Sequence, residues 1–175
     1  MKRFAVTAFL VLALAGAWGR SAHATEVGYT RHFGLGVALG DPTGIVAKLW
    51  LSSTNALDFG FGFQRYGLNR CDAVGRNCDY AYRDYSFNVD YLWQSNLVKG
   101  QAQLDWHVGV GGRLYFVGDN RYEHDVDMAV RAPIGLDLMF RNPGFLEIYL
   151  EVAPALYLIP LDLGLEGGLG VRFYF

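Results

Sequence analysis

The chain has 175 residues, a formal net charge of −2, 15 % aromatic residues and 22 glycines, which is the size of one domain. The mildly acidic balance excludes the basic face that nucleic-acid binding requires. Phosphate-loop, dinucleotide, zinc and EF-hand patterns are absent, so no metal or cofactor is expected.

The first 24 residues stand apart. Lys2 and Arg3 precede an apolar run from Phe4 to Ala17, and Ala22-His23-Ala24 is a small-x-small cleavage pattern. This is the layout of a secretory signal peptide, and the run is shorter than the ~20 residues of a spanning helix. The expected mature chain is 25–175. Losing Lys2, Arg3 and Arg20 moves its net charge from −2 to −5. It holds no apolar run long enough for a spanning helix.

Along the mature chain, apolar and polar residues alternate with period two, the signature of strands with two unlike faces. Eight segments follow in order. Phe33–Gly40 and Ile45–Leu51 open the series, with Lys48 on the polar side. In 57–66, Leu57, Phe59, Phe61 and Phe63 oppose Asp58, Gly60, Gly62 and Gln64. In 84–93, Tyr85, Phe87, Val89, Tyr91 and Trp93 oppose Asp84, Ser86, Asn88 and Asp90. In 102–116, Leu104, Trp106, Val108 and Val110 oppose Gln103, Asp105, His107 and Arg113. In 126–140, Val126, Met128, Val130, Ile134, Leu136 and Leu138 oppose Asp127, Arg131 and Asp137. In 146–158, Leu146, Ile148, Leu150 and Val152 oppose Glu147, Tyr149 and Glu151. In 162–175, Leu163, Leu165, Leu169, Val171, Phe173 and Phe175 oppose Asp162, Glu166, Arg172 and Tyr174.

Gly40–Gly44, Ser52–Asn55, Gln94–Gly100 and Arg141–Gly144 read as compact connections, and Gly67–Asp79 and Val117–His124 as long ones. With both termini on the periplasmic side, the compact second, fourth and sixth connections are periplasmic and the two longest are external, as in bacterial outer-membrane proteins.

The expected fold is all-β: a closed, up-and-down, eight-stranded antiparallel transmembrane β-barrel. Period two alone does not say which face is inside, and a soluble carrier barrel is the structural rival. Three features favour the membrane. Glycines crowd the polar face, as a narrow barrel interior requires. The apolar face is almost unbroken through the last four segments. Trp93, Trp106, Phe140, Phe173 and Phe175 gather near the periplasmic ends, as an aromatic girdle does. Trp50 falls on the polar face.

The C-terminal run Gly168-Leu169-Gly170-Val171-Arg172-Phe173-Tyr174-Phe175 resembles the terminal β-signal of outer-membrane proteins, with Gly170, Phe173 and Phe175 at the matching places. Gly168 stands where that signal usually has a polar residue. In length and strand count the mature chain resembles the small outer-membrane barrels of the OmpA transmembrane-domain and OmpX type. The resemblance implies the outer membrane as location, its lipids and lipopolysaccharide as surroundings, and the barrel assembly machinery as a partner during insertion. A monomer is expected.

Cys71 and Cys78 are the only cysteines. In one external loop of a secreted chain they read as a disulfide, contributing about 2–3 kcal/mol by loop closure; a metal pair with Asp72 or Asp79 is the alternative. The inner face carries Asp58, Asp84, Asp90, Asp105, Asp127, Asp137, Glu147, Glu151, Asp162 and Glu166, against Lys48, Arg113, Arg131 and Arg172, with His107 also there. A structural network of ion pairs follows, centred on Lys48, Asp105, Arg113, Arg131, Asp137, Glu151, Glu166 and Arg172, because buried charges must pair or neutralise.

Three functions are compatible with this pattern. The first is a non-enzymatic integral outer-membrane protein with a filled interior, whose external loops meet partners. Arg70, Arg76, Arg121 and Tyr122 on those loops suit lipopolysaccharide sugars. The second is a narrow cation or proton conductor using the acidic excess. The third is a lipid-A-modifying enzyme, for which Ser86 with His124 is the available nucleophile–base pair.

Overall fold

The computed structural model describes residues 31–63, 66–71, 78–99, 102–117, 126–140, 145–158 and 161–175; side chains are described from Tyr85 onward and up to Phe63. The proposed leader, the 118–125 connection, His124, Arg76, Arg121 and Tyr122 lie outside these residues, as do the side chains of Arg70 and Asp84.

The described chain is all-β. Ten strands follow one another: β1 (Phe33–Asp41), β2 (Gly44–Trp50), β3 (Asn55–Gly62), β4 (Tyr66–Cys71), β5 (Cys78–Val98), β6 (Ala102–Val117), β7 (Val126–Arg131), β8 (Ile134–Phe140), β9 (Leu146–Leu158) and β10 (Leu161–Tyr174). Every pairing is antiparallel, and β1 pairs with both β2 and β10, so the hydrogen-bonded strands form a ring.

The ring can be followed perpendicular to its strands. Asp41 faces Gly167, then come Val152, Ile134, Val108, Trp93 and Asn55. Leu51 donates to the Asn55 carbonyl (2.9 Å), and one step beyond the Trp50–His32 hydrogen bond (2.8 Å) the path returns at position 31. It started at 41, so the circuit closes with a stagger of ten residues. A stagger of this kind tilts the strands against the ring axis.

Two of the eight expected segments are divided. The 126–140 segment breaks into β7 and β8 at Ala132-Pro133 because Pro133 has no N–H for the ladder. The Ala132 N–H goes to the Pro154 carbonyl (3.0 Å) and the Pro133 carbonyl takes the Gly109 N–H (2.8 Å). The register against β6 and β9 is the same on both sides of the break. The other division corrects the expected long connection Gly67–Asp79. β4 pairs with the start of β5, from Tyr66 opposite Arg83 to Cys71 opposite Cys78, so most of that stretch is hairpin. A register shift between Arg83 and Tyr85 separates this extension from the β3–β5 pairing. The Gln94–Gly100 connection is likewise shorter than expected, since β5 runs on to Val98.

Turn chemistry explains the short connections. Gly40 sits at φ 125°, a region that L side chains avoid, and the Thr43 hydroxyl both donates to the Gly40 carbonyl (2.8 Å) and accepts from its N–H (3.0 Å). Ser52 Oγ accepts from the N–H groups of Thr54 (3.3 Å) and Asn55 (3.1 Å).

Burial alternates with the strand period and inverts the order of a water-soluble domain. Leu35, Leu39, Phe61, Trp93, Leu150, Leu169 and Phe173 are among many large apolar residues exposed on the outside, while buried polar and charged residues outnumber buried apolar ones inside. Trp106 and Phe140 are half-buried on the outer face and Phe175 is exposed. Trp50 is buried in a cluster with Ala56, Met139 and Tyr174.

Candidate functional site

The inward positions of β1 to β10 bring the charged residues together in the ring's interior. Lys48, Asp105, Arg113, Arg131, Asp137, Glu151, Glu166 and Arg172 are all buried, as are Asp58, Asp90, Asp127, Glu147 and His107. Asp162 departs from expectation: it is exposed, because β10 at that height has passed the end of β1, which stops at Asp41 opposite Gly167. Its carboxylate accepts the Leu163 N–H (2.8 Å) instead of entering the interior network.

The network is continuous from one end of the ring to the other. At the lower end, nearest the chain termini, Asp105 is solvated by amides: Asn96 Nδ2 (2.7 Å), Gln103 Nε2 (3.0 Å) and Gln94 Nε2 (3.1 Å) all donate to it. Lys48 donates to Gln94 Oε1 (2.5 Å) and lies 3.5 Å from both Asp137 and Glu147. Asp137 is 2.6 Å from His107 Nδ1, and Glu151 is 3.3 Å from His107 Nε2. Glu151 bonds Arg131, which reaches Asp90 (3.5 Å) and Glu166 (3.4 Å). Glu166 bonds Arg113 (2.9 Å) and accepts from the Tyr115 hydroxyl; Arg113 ends the chain on Asp41 (2.8 Å).

Arg172 forms the tightest branch. Its Nη1 donates to Glu147 (2.6 Å), its Nη2 donates to both Asp58 oxygens (2.6 and 2.8 Å), and its guanidinium lies 3.8 Å over the Tyr149 ring. The planar fork of arginine suits such two-sided carboxylate contacts. The Tyr174 hydroxyl donates to the other Glu147 oxygen (2.5 Å).

Register explains why this works sterically. Gly170 faces Tyr149 across the β9–β10 pair, and a Cβ at 170 would come 2.2 Å from the Tyr149 ring. The missing side chain is the space the tyrosine occupies, and the tyrosine in turn is the platform under Arg172. Gly135 does the same for His107, whose ring would lie 2.4 Å from a Cβ there.

Register also creates conflicts that the cations resolve. Asp58 faces Asp90, and Asp105 faces Asp137; like charges directly opposite destabilise a strand pair. Arg172 takes Asp58, Arg131 and Asn88 (2.7 Å) take Asp90, Lys48 and His107 take Asp137, and amides take Asp105. Buried charges left unpaired would cost several kcal/mol each.

Gln94, Asn88, Tyr115, Tyr149 and Tyr174 belong to this network although the charge pattern alone does not mark them. Their signal is positional, because all occupy the inward parity of their strands. Ser86 is buried opposite Gly62 and Tyr115. Cys71 and Cys78 are register partners at the end of the β4–β5 hairpin, with side chains outside the described residues. Among the described residues, no group of three or more His, Cys, Asp or Glu is placed to hold a metal ion.

No family model, curated protein or solved structure matches the chain.

Proposed function

We propose that the chain is an integral outer-membrane protein whose ring is a closed, up-and-down, eight-stranded β-barrel, exported with a cleaved leader at 1–24. Its role in this reading is non-enzymatic: a rigid, filled anchor of the OmpA/OmpX kind that presents its external hairpins and loops. The observation that carries the reading is the inversion of burial. A face of exposed Leu, Val, Phe and Trp encircles an interior of buried Asp, Glu, Lys and Arg. Such a continuous apolar exterior is foreign to soluble monomers, and alternation of apolar-out with polar-in is the rule for membrane barrels. The circuit from Asp41 to position 31 crosses β1, β10, β9, β8, β6, β5, β3 and β2, which supports eight staves. An eight-stranded barrel is just wide enough for its own side chains.

Lipids and lipopolysaccharide are the surroundings this exterior suits. Gly170, Phe173 and Phe175 are the residues the barrel assembly machinery would read, and the Cys71–Cys78 register supports a disulfide tying the external hairpin. The test is membrane fractionation followed by gel mobility with and without boiling. The folded barrel is expected in the outer-membrane fraction and to shift on heating; a soluble protein without a shift sinks the reading.

One observation favours a second reading. The described interior holds eight carboxylates, Asp58, Asp90, Asp105, Asp127, Asp137, Glu147, Glu151 and Glu166, against four fixed cations, Lys48, Arg113, Arg131 and Arg172, and an acidic lumen favours cations. The unbroken contact chain through Lys48, Arg131 and Arg113 argues for closure. Planar bilayers separate the two: silence supports the anchor, and cation-selective steps the conductor.

A further inference from the structure

The interior charges fall into two groups. Below, Lys48 and Arg172 hold Asp137, Glu147 and Asp58. Above, Arg131 and Arg113 hold Glu151, Asp90 and Glu166. Among the described residues, His107 is the only side chain hydrogen-bonded or ion-paired to both groups.

The two carboxylates it meets divide their oxygens. Asp137 turns Oδ1 to Lys48 (3.5 Å) and Oδ2 to His107 Nδ1 (2.6 Å). Glu151 turns Oε1 to Arg131 and Oε2 to His107 Nε2 (3.3 Å). Each carboxylate thus gives one oxygen to a fixed cation of its own group and the other to the imidazole. The ring has no freedom to turn to water. It is 1 % exposed, and it lies over Gly135, its register partner on β8, where a Cβ would come 2.4 Å from Cε1 and 2.5 Å from Nε2.

A neutral imidazole has one N–H and one bare lone pair, whereas the imidazolium donates from both nitrogens. In this slot a bare nitrogen would aim its lone pair at a carboxylate oxygen. The remaining groups around the ring leave that choice unchanged. On β6 itself, Asp105 is held by amides. β5 sets the neutral Gln94 opposite. Lys48 on β2 reaches the ring only through Asp137, and Arg131 on β7 only through Glu151. Arg172 on β10 stands behind Glu147.

We infer that His107 is a proton-operated splice between the two halves of the interior. With both nitrogens protonated it clamps Asp137 to Glu151, and the lower group to the upper. Without the second proton, Asp137 stays with Lys48 and Glu151 stays with Arg131, and the halves part. The device is independent of the anchor and conductor readings, since it needs only the ring's interior.

The test uses the full mature chain, with folding verified first by the heat-dependent mobility shift. Nitrogen-15 spectra of the histidine-labelled protein in detergent micelles read each ring nitrogen, and His107→Gln identifies the His107 signals by their loss. At about pH 7, within the range where histidines titrate, both nitrogens are expected to carry protons. Urea unfolding in lipid vesicles from about pH 5 to about pH 10 is the second readout. The unfolding constant is expected to rise about tenfold where the spectra lose the second proton, the loss of one charge-assisted contact. His107→Gln, which carries no charge, is expected to lack that step. A bare ring nitrogen at about pH 7, no step in the parent, or the same step in His107→Gln overturns the splice. If His107→Gln does not fold, the parent still decides, because proton loss and step must fall at one pH. A chain that does not insert into vesicles overturns the membrane reading alone, and the splice is then decided by spectra and unfolding in micelles.

Discussion

Replacing Arg172 by Met tests whether the interior is held by its charge pairs. Arg172 is the shared partner of Asp58 and Glu147, with three hydrogen bonds of 2.6 to 2.8 Å, and all three side chains are buried. Methionine keeps much of the volume over Tyr149 but leaves Asp58 without its nearest cation and Glu147 with only Lys48 at 3.5 Å. Breaking a buried pair from one side costs about 3–5 kcal/mol, because the charge left behind has lost its solvation. Removing all the charges together is expected to cost far less: Arg172→Met with Asp58→Asn and Glu147→Gln should return to within about 1–2 kcal/mol of the parent. The measurement is urea unfolding in lipid vesicles, followed by tryptophan fluorescence and by the loss of the compact gel form. A loss below about 1 kcal/mol for the single variant, or a triple variant no better than the single one, would refute the argument that Arg172 acts by compensating Asp58 and Glu147.

Other outcomes follow from the same geometry. In vesicles of bromine-labelled acyl lipids, a variant retaining only Trp93, which is 48 % exposed, is expected to be strongly quenched, and one retaining only Trp50, at 3 %, barely quenched; equal quenching would contradict the assigned faces. Gly170→Val drives a side chain into the Tyr149 ring and should cost about 1–3 kcal/mol as an overpacked position, read as a lower urea midpoint; an unchanged midpoint would show that the ring has room to move. Deleting Phe175 is expected to reduce the heat-shiftable form in cells several-fold while the purified chain still refolds in detergent, which separates recognition by the assembly machinery from stability. The intact mass of the non-reduced mature chain is expected about two mass units below the reduced one, as a Cys71–Cys78 bond requires; equal masses would leave both thiols free.

The strands were legible because a period of two with one apolar face is a strong pattern, and the faces of β6 and β9 match it residue by residue. The departures have local causes. Pro133 interrupts the ladder without disturbing the period, so Val126–Phe140 reads as one strand in sequence and as β7 and β8 in space. The β4–β5 hairpin hides because Gly67, Asn69, Asp72, Gly75 and Asn77 are turn-forming residues, and composition there favoured a loop over two short paired strands. Asp162 has inward parity, yet parity fixes an environment only where a neighbouring strand closes the wall. How far β1 extends beside β10 is a property of register, which no single strand's sequence contains.

Who pairs with whom inside the ring was not legible for a related reason. Alternation places Arg172 and Asp58 on the same face, but they are 114 positions apart, and only closure of β1 against β10 brings β10 beside β2 and β3. The same closure turns an acidic excess into a nearly complete set of contacts, because each aspartate that faces another aspartate across a strand pair is reached by a cation or an amide from a different strand. The interior is therefore a consequence of the ring's stagger. A slip of one residue in the β1–β10 register would put Arg172 and its β9 partner Glu147 on the opposite face from Asp58 and break the three-way contact. The charges that fill the ring thus also select the one register in which it closes, which gives the buried network a structural role whether or not the interior ever conducts an ion.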